Sequence, residues 1–86
     1  MALRDIAPKA PTHLLVIPER HVESLAGAAE FTADEAKEML DFIAETAWAE
    51  GLDEYRVIAN VGPGAGQTIY HLHWHILGGR PLGGMG

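Results

Sequence analysis

The stretch Tyr70-His71-Leu72-His73-Trp74-His75-Ile76-Leu77 limits the fold more than any other part of this chain. Polar and apolar residues alternate along it as far as Ile76. A period of two matches a β-strand, whose successive side chains point to opposite faces. A helix would scatter the same residues around its circumference. A strand from Thr68 to Leu77 is therefore expected, closed by Gly78-Gly79. One face carries His71, His73 and His75. The other carries Tyr70, Leu72, Trp74 and Ile76, an apolar surface that must be covered.

A helix can supply that cover. Thr32-Ala33-Asp34-Glu35 has the capping-box form, with a hydroxyl at the N-cap and Glu three residues on. The helix should run from Ala33 to about Glu50, with Ala36, Met39, Leu40, Ile43, Ala47 and Trp48 at helical spacing. Gly51 supplies the stop. Thr12 to Ile17, closed by Pro18, reads as a strand, and Tyr55 to Val61 as another. Leu3 to Pro11 reads as a strand end and a turn, broken by Pro8 and Pro11. A helical turn is expected around Ser24-Leu25-Ala26, and the Gly-rich tail Arg80 to Gly86 is expected to be mobile. The last two strands should pair antiparallel through the loop Gly62-Pro63-Gly64-Ala65-Gly66-Gln67. The fold class is α+β, an antiparallel sheet with one main helix on one face. Residues 1–86 are expected to form a single domain.

The 86 residues include no cysteine, so neither a disulfide nor a thiolate metal site is available. A small apolar chain without such braces often gains stability by oligomerising, and a partner subunit is expected. The net charge is −6 and the six basic residues are scattered. They form no stripe for a nucleic-acid backbone, and an acidic surface does not suit anionic membranes. No apolar run reaches membrane-spanning length, and Met1 to Asp5 lacks a signal-peptide core. A cytoplasmic location is expected.

Three imidazoles on one face leave three readings open. They could lie on a plain exposed sheet face, ligate zinc or nickel, or serve a phosphate anion with one imidazole as nucleophile. Neutral imidazole attacks phosphorus, and the phospho-imidazole product hydrolyses readily. Protonated neighbours can balance the phosphate charge and pass a proton to the leaving group. Such a site needs neither metal nor cofactor. The glycine loop ahead of the histidines lacks the lysine and spacing of a Walker loop. It can still bring backbone N–H groups close to an anion, and Thr68 adds a hydroxyl. It is also an ordinary connection in form. Its junction with the histidine row favours phosphate.

His71-Leu72-His73-Trp74-His75-Ile76-Leu77 resembles the histidine triad (HIT) signature, in which three alternate histidines are separated and followed by apolar residues. Asp5-Ile6-Ala7-Pro8-Lys9-Ala10-Pro11-Thr12-His13-Leu14-Leu15-Val16-Ile17-Pro18 looks like that family's other marker segment. Gly66-Gln67-Thr68 and Gly78-Gly79-Arg80 are most similar to its Hint branch. The resemblance implies hydrolysis at the α-phosphate of purine nucleoside phosphoramidates through a nucleotidyl-histidine, and a homodimer in which two sheets join. Dinucleoside polyphosphate hydrolysis and a catalytically weak nucleotide-binding module are the alternatives. By motif position His73 would be the nucleophile, flanked by His71 and His75, with His13 completing the cluster. Asp5 would accept hydrogen bonds from the ribose hydroxyls, and Leu3 and Ile6 would touch the base. Asn60, Gly66, Gln67 and Thr68 would surround the ribose and phosphate. His21 reads as a surface loop histidine. Against the family pattern the chain is expected to be short at both ends, beginning almost on the Asp5 segment and lacking a tail beyond Gly78-Gly79-Arg80.

Overall fold

The computed structural model describes residues 1–6 and 8–84. Ala7 of the marker segment and Met85-Gly86 of the glycine-rich tail lie outside these residues. Four strands and one long helix follow in the order β1 (Ala2–Arg4), β2 (Thr12–Val16), α1 (Ala33–Ala49), β3 (Tyr55–Ile58) and β4 (Trp74–Gly78), with a 3-10 helix at Leu25–Glu30 between β2 and α1. The strands form one antiparallel sheet in the order β1-β2-β4-β3. This is the expected α+β architecture. The strand end foreseen near Leu3 is a full edge strand, because β1 pairs with β2 from Ala2 opposite Val16 to Arg4 opposite Leu14.

The helix begins where the capping box places it. The Thr32 side chain accepts from the Glu35 N–H, and the Glu35 carboxylate accepts from the Thr32 N–H. The helix ends at Ala49, and Gly51 beyond it takes φ +75°, a left-handed conformation that suits glycine. Ile43 and Ala47 point inward onto Leu14, Val16 and Ile76, and these five form the core. Leu52 and Trp74 pack at its margin, with the Trp74 indole N–H directed at Met39 Sδ, 3.3 Å away. Leu40 and Trp48, expected on the packed stripe, are instead 56% and 83% exposed. Of the helix only Ile43 and Ala47 are buried, and the flank of the apolar stripe faces outward.

Register determines what each face holds. Leu14 lies opposite Ile76 and Val16 opposite Trp74, on the helix side. His13 opposite Leu77 and Leu15 opposite His75 therefore project from the other side. On β3, Ile58 lies opposite His75. The imidazoles thus occupy the face away from the helix.

The largest correction concerns the histidine strand. It was expected from Thr68 to Leu77, yet only Trp74–Gly78 pairs. The physical cause lies in its partners. β2 stops at Val16 ahead of Pro18, and β3 stops at Ile58, short of the expected Val61, so no strand flanks residues 68–73. A different contact replaces the ladder. Leu72 N–H donates to the Val22 carbonyl, His71 Nε2 to Pro18 O, and His21 Nε2 to Tyr70 O. Segment 18–22 is thereby zipped to residues 70–72. The tail is also held as far as Gly84, because the Arg56 guanidinium donates to the carbonyls of Gly83 and Gly84.

Candidate active site

A cavity of about 370 Å³ opens on the helix-free face. His13, His73 and His75 line it with Asp5, Asn60, Gly66 and Thr68. Four separate segments supply these residues. Asp5 follows β1, His13 sits in β2, His75 sits in β4 just after His73, and the rest come from the connection between β3 and β4. A second groove of about 390 Å³ lies between the end of β2 and α1, lined by residues such as Val16, Pro18, Phe31, Met39 and Phe42. It contains no imidazole, so the first cavity is the candidate active site.

Backbone partners determine the protons on the imidazoles. A backbone N–H can only donate, so Lys9 N–H donates to His13 Nδ1 at 3.0 Å. Neutral His13 then carries its proton on Nε2, which lies 2.9 Å from His75 Nδ1 and 3.4 Å from an Asp5 carboxylate oxygen. With Nδ1 accepting, neutral His75 carries its own proton on Nε2. A carbonyl can only accept, so His73 Nδ1–H donates to His71 O at 2.8 Å. This leaves the lone pair of neutral His73 on Nε2. The ring centroids of His73 and His75 are 5.1 Å apart, as are those of His13 and His75.

His13 is buried and His75 half-buried. Burial holds the His75 pKa below its ordinary value of 6.5, and the charges of His73 and His13 push the same way while Asp5 opposes them. His75 therefore stays neutral to lower pH than a free imidazole.

Asp5, His13 and His75 each present one ligating atom, and these atoms lie within 4.8 Å of one another. Their hydrogen bonding fits a proton relay better than a metal. To bind a metal through Nε2, His13 would need its proton on Nδ1, facing the Lys9 N–H. Two donors would then oppose each other in a buried site.

Not every expected residue reaches the cavity. His71 leaves the row, because residues 68–73 are not a strand, and its ring packs against His21 with centroids 4.7 Å apart. His21, read as a bland surface residue, is thus part of the zip. Leu3 and Ile6 stand exposed and do not line the cavity. Gln67 is 3% exposed, and its amide is committed to three backbone groups away from the cavity. Lys9, Ile58 and Leu77 line the cavity without having been singled out. Strand register could have indicated Ile58 and Leu77, opposite His75 and His13, but register is not written in a single sequence.

An open-faced antiparallel sheet, a cluster of three imidazoles with defined hydrogen-bond partners and an adjoining glycine loop together form a histidine-based candidate site. Comparison with known proteins agrees. The HIT domain model matches residues 1–82, and the chain belongs to the HIT family. It is 42% identical over 86 residues to the purine nucleoside phosphoramidase of Escherichia coli K12, covering 98% of this chain and 72% of that protein. It is 46% identical over 83 residues to a HIT-like protein of Synechococcus elongatus, covering 95% of this chain and 73% of that one. The crystal structure of a HIT family hydrolase from Legionella pneumophila superposes with a TM-score of 0.85 at 44% identity, covering 93% of this chain and 73% of that chain. Among the described residues no helix is long and apolar enough to cross a membrane.

Proposed function

We propose that this HIT family hydrolase cleaves purine nucleoside phosphoramidates at the α-phosphate, with His73 as nucleophile. The observation that carries this reading is the His73 Nδ1 bond to the His71 carbonyl, which reserves the Nε2 lone pair for attack. Nε2 forms a bond to phosphorus as the P–N bond to the amine breaks. The imidazole cluster takes one proton from solvent as the anionic phosphate binds, so that the His75 Nε2–H can pass to the departing amine and leave a neutral ring rather than an imidazolate. Water then attacks the nucleotidyl-histidine, His75 takes up the water's proton, and a nucleoside monophosphate leaves with His73 restored. His13 supports both steps by keeping the His75 proton on Nε2.

Asp5 accepts hydrogen bonds from the ribose hydroxyls, and Asn60, Gly66 and Thr68 surround the phosphate. The phosphoramidase relative lends this substrate class its support. The working form is a homodimer. Leu40, Ala44 and Trp48 form an exposed apolar stripe at i, i+4 and i+8 on α1, and β3 leaves one edge of the sheet unpaired. Its setting is the cytoplasm.

Turnover of a fluorogenic adenosine phosphoramidate tests the chemistry. His73→Ala should abolish it, and a quenched reaction should yield an adenylylated His73 peptide. Normal turnover by His73→Ala would refute the assignment. AMP binding with no hydrolysis of any phosphoramidate or dinucleotide would point to a binding module instead. Trp48→Asp should convert the dimer to monomer by light scattering.

A further inference from the structure

Gln67 was expected to touch the nucleotide, yet its side chain points elsewhere and is almost completely buried. Its Oε1 accepts from Gly62 N–H at 2.8 Å, and its Nε2 donates to Glu23 O at 2.6 Å and to Ile69 O at 3.1 Å. Both amide protons are used. The backbone N–H of Gln67 also donates to Gly62 O at 3.0 Å. Gly62 and Gln67 are therefore bonded in both directions, closing the loop 62–67 into a ring. The backbone inside the ring is tightly turned, with φ +82° at Gly62 and +97° at Gly66.

The residues on either side of Gln67, Gly66 and Thr68, both line the imidazole cavity. Asn60 also lines it, and its amide nitrogen lies 4.0 Å from where a Cβ on Gly66 would stand. Among the described residues neither the N–H nor the hydroxyl of Thr68 has a protein acceptor. These donors are available to an anion. A mobile loop would lose entropy on closing around a phosphate, and a prebuilt one does not. The bond to Glu23 also anchors the ring to the residue that follows segment 18–22, which is zipped against residues 70–72 directly before His73.

We infer that Gln67 is a positioning residue, an amide latch that holds the loop 60–68 preformed as a cradle for the substrate phosphate without touching it. This inference rests on the nucleotide reading of the site. It separates two contributions: Gln67 acts on phosphate binding through Asn60, Gly66 and Thr68, whereas His73 and His75 act on bond making.

The variant Gln67→Met retains length and volume and removes all three side-chain bonds. Calorimetric titration of wild type and variant with AMP and with adenosine tests the latch. AMP affinity should fall about tenfold or more in the variant, while adenosine affinity is unchanged and kcat for a phosphoramidate stays within a few-fold of wild type as KM rises. Unchanged AMP affinity, or equal losses for AMP and adenosine, overturns the inference. Should the variant not fold, amide hydrogen exchange on the wild-type protein decides. The Gly62 N–H should be protected like the paired amides of β4, and exchange at a free-loop rate overturns the latch. Wild-type protein that binds AMP without turnover overturns the catalytic reading alone. Wild-type protein that binds neither ligand overturns the nucleotide reading and this inference with it.

Discussion

Replacing His13 by Phe isolates the relay from the rest of the site. A flat aromatic ring of slightly larger size remains beside His75, whose centroid lies 5.1 Å from that of His13. Two hydrogen bonds disappear, from Lys9 N–H to Nδ1 and from Nε2–H to His75 Nδ1. At about 0.5–1.5 kcal/mol each, unfolding stability should fall by about 1–3 kcal/mol. The functional effect runs through His75. With no donor at Nδ1, that ring loses the bond that keeps its proton on Nε2. A bias of about 1.4 kcal/mol corresponds to a tenfold change in population, so kcat/KM should drop about tenfold from tautomer loss and further from looser orientation. Removing the proposed acid by His75→Phe should cost about a hundredfold to ten-thousandfold. Initial rates with a fluorogenic adenosine phosphoramidate measure both. The double variant is decisive. If His13 works only through His75, the double variant should be no slower than His75→Phe alone. Multiplicative losses would show that His13 acts independently and would refute the relay.

Acidification should expose the lowered His75 pKa. Because the folded-state value lies below the ordinary 6.5, the unfolded chain binds a proton first, so stability present above pH 6.5 should decline as pH falls through the folded value. Urea midpoints across this window should show the decline, His75→Phe should lessen it, and a midpoint that rises on acidification would contradict the reading. Asp5 is the group that raises the His75 pKa, so Asp5→Asn should move the alkaline limb of kcat/KM, where the acid loses its proton, to lower pH; a shift to higher pH would contradict the assignment. Thr32→Ala breaks the capping box and should cost about 1 kcal/mol in chemical denaturation. Ile76→Ala empties a fully buried position in the core and should cost about 2–5 kcal/mol, with a loss of less than 1 kcal/mol contradicting its place there.

Much of the fold was legible because local chemistry decided it. The capping box at Thr32 and Glu35 uses only neighbours three residues apart, and it starts α1 where the sequence places it. The alternation through Trp74, His75 and Ile76 directs apolar side chains to the helix and imidazoles away from it, since a strand has no other option. The same period misled at His71, and the motif resemblance misled at Gln67. Whether an alternating segment becomes a strand depends on a partner lying beside it, and β2 and β3 both end too early to flank residues 68–73.

The sequence by itself determined the residue types of the site, the helix and its start, and the class of chemistry that clustered imidazoles beside a glycine loop can perform. Only the tertiary structure decided which imidazoles meet. His13 reaches His75 because β2 pairs with β4 in one particular register, and His71 turns to His21 because segment 18–22 occupies its flank. The proton positions were decided there too. They follow from a backbone N–H at Lys9 and a carbonyl at His71, groups that every residue carries and that no side-chain pattern reveals.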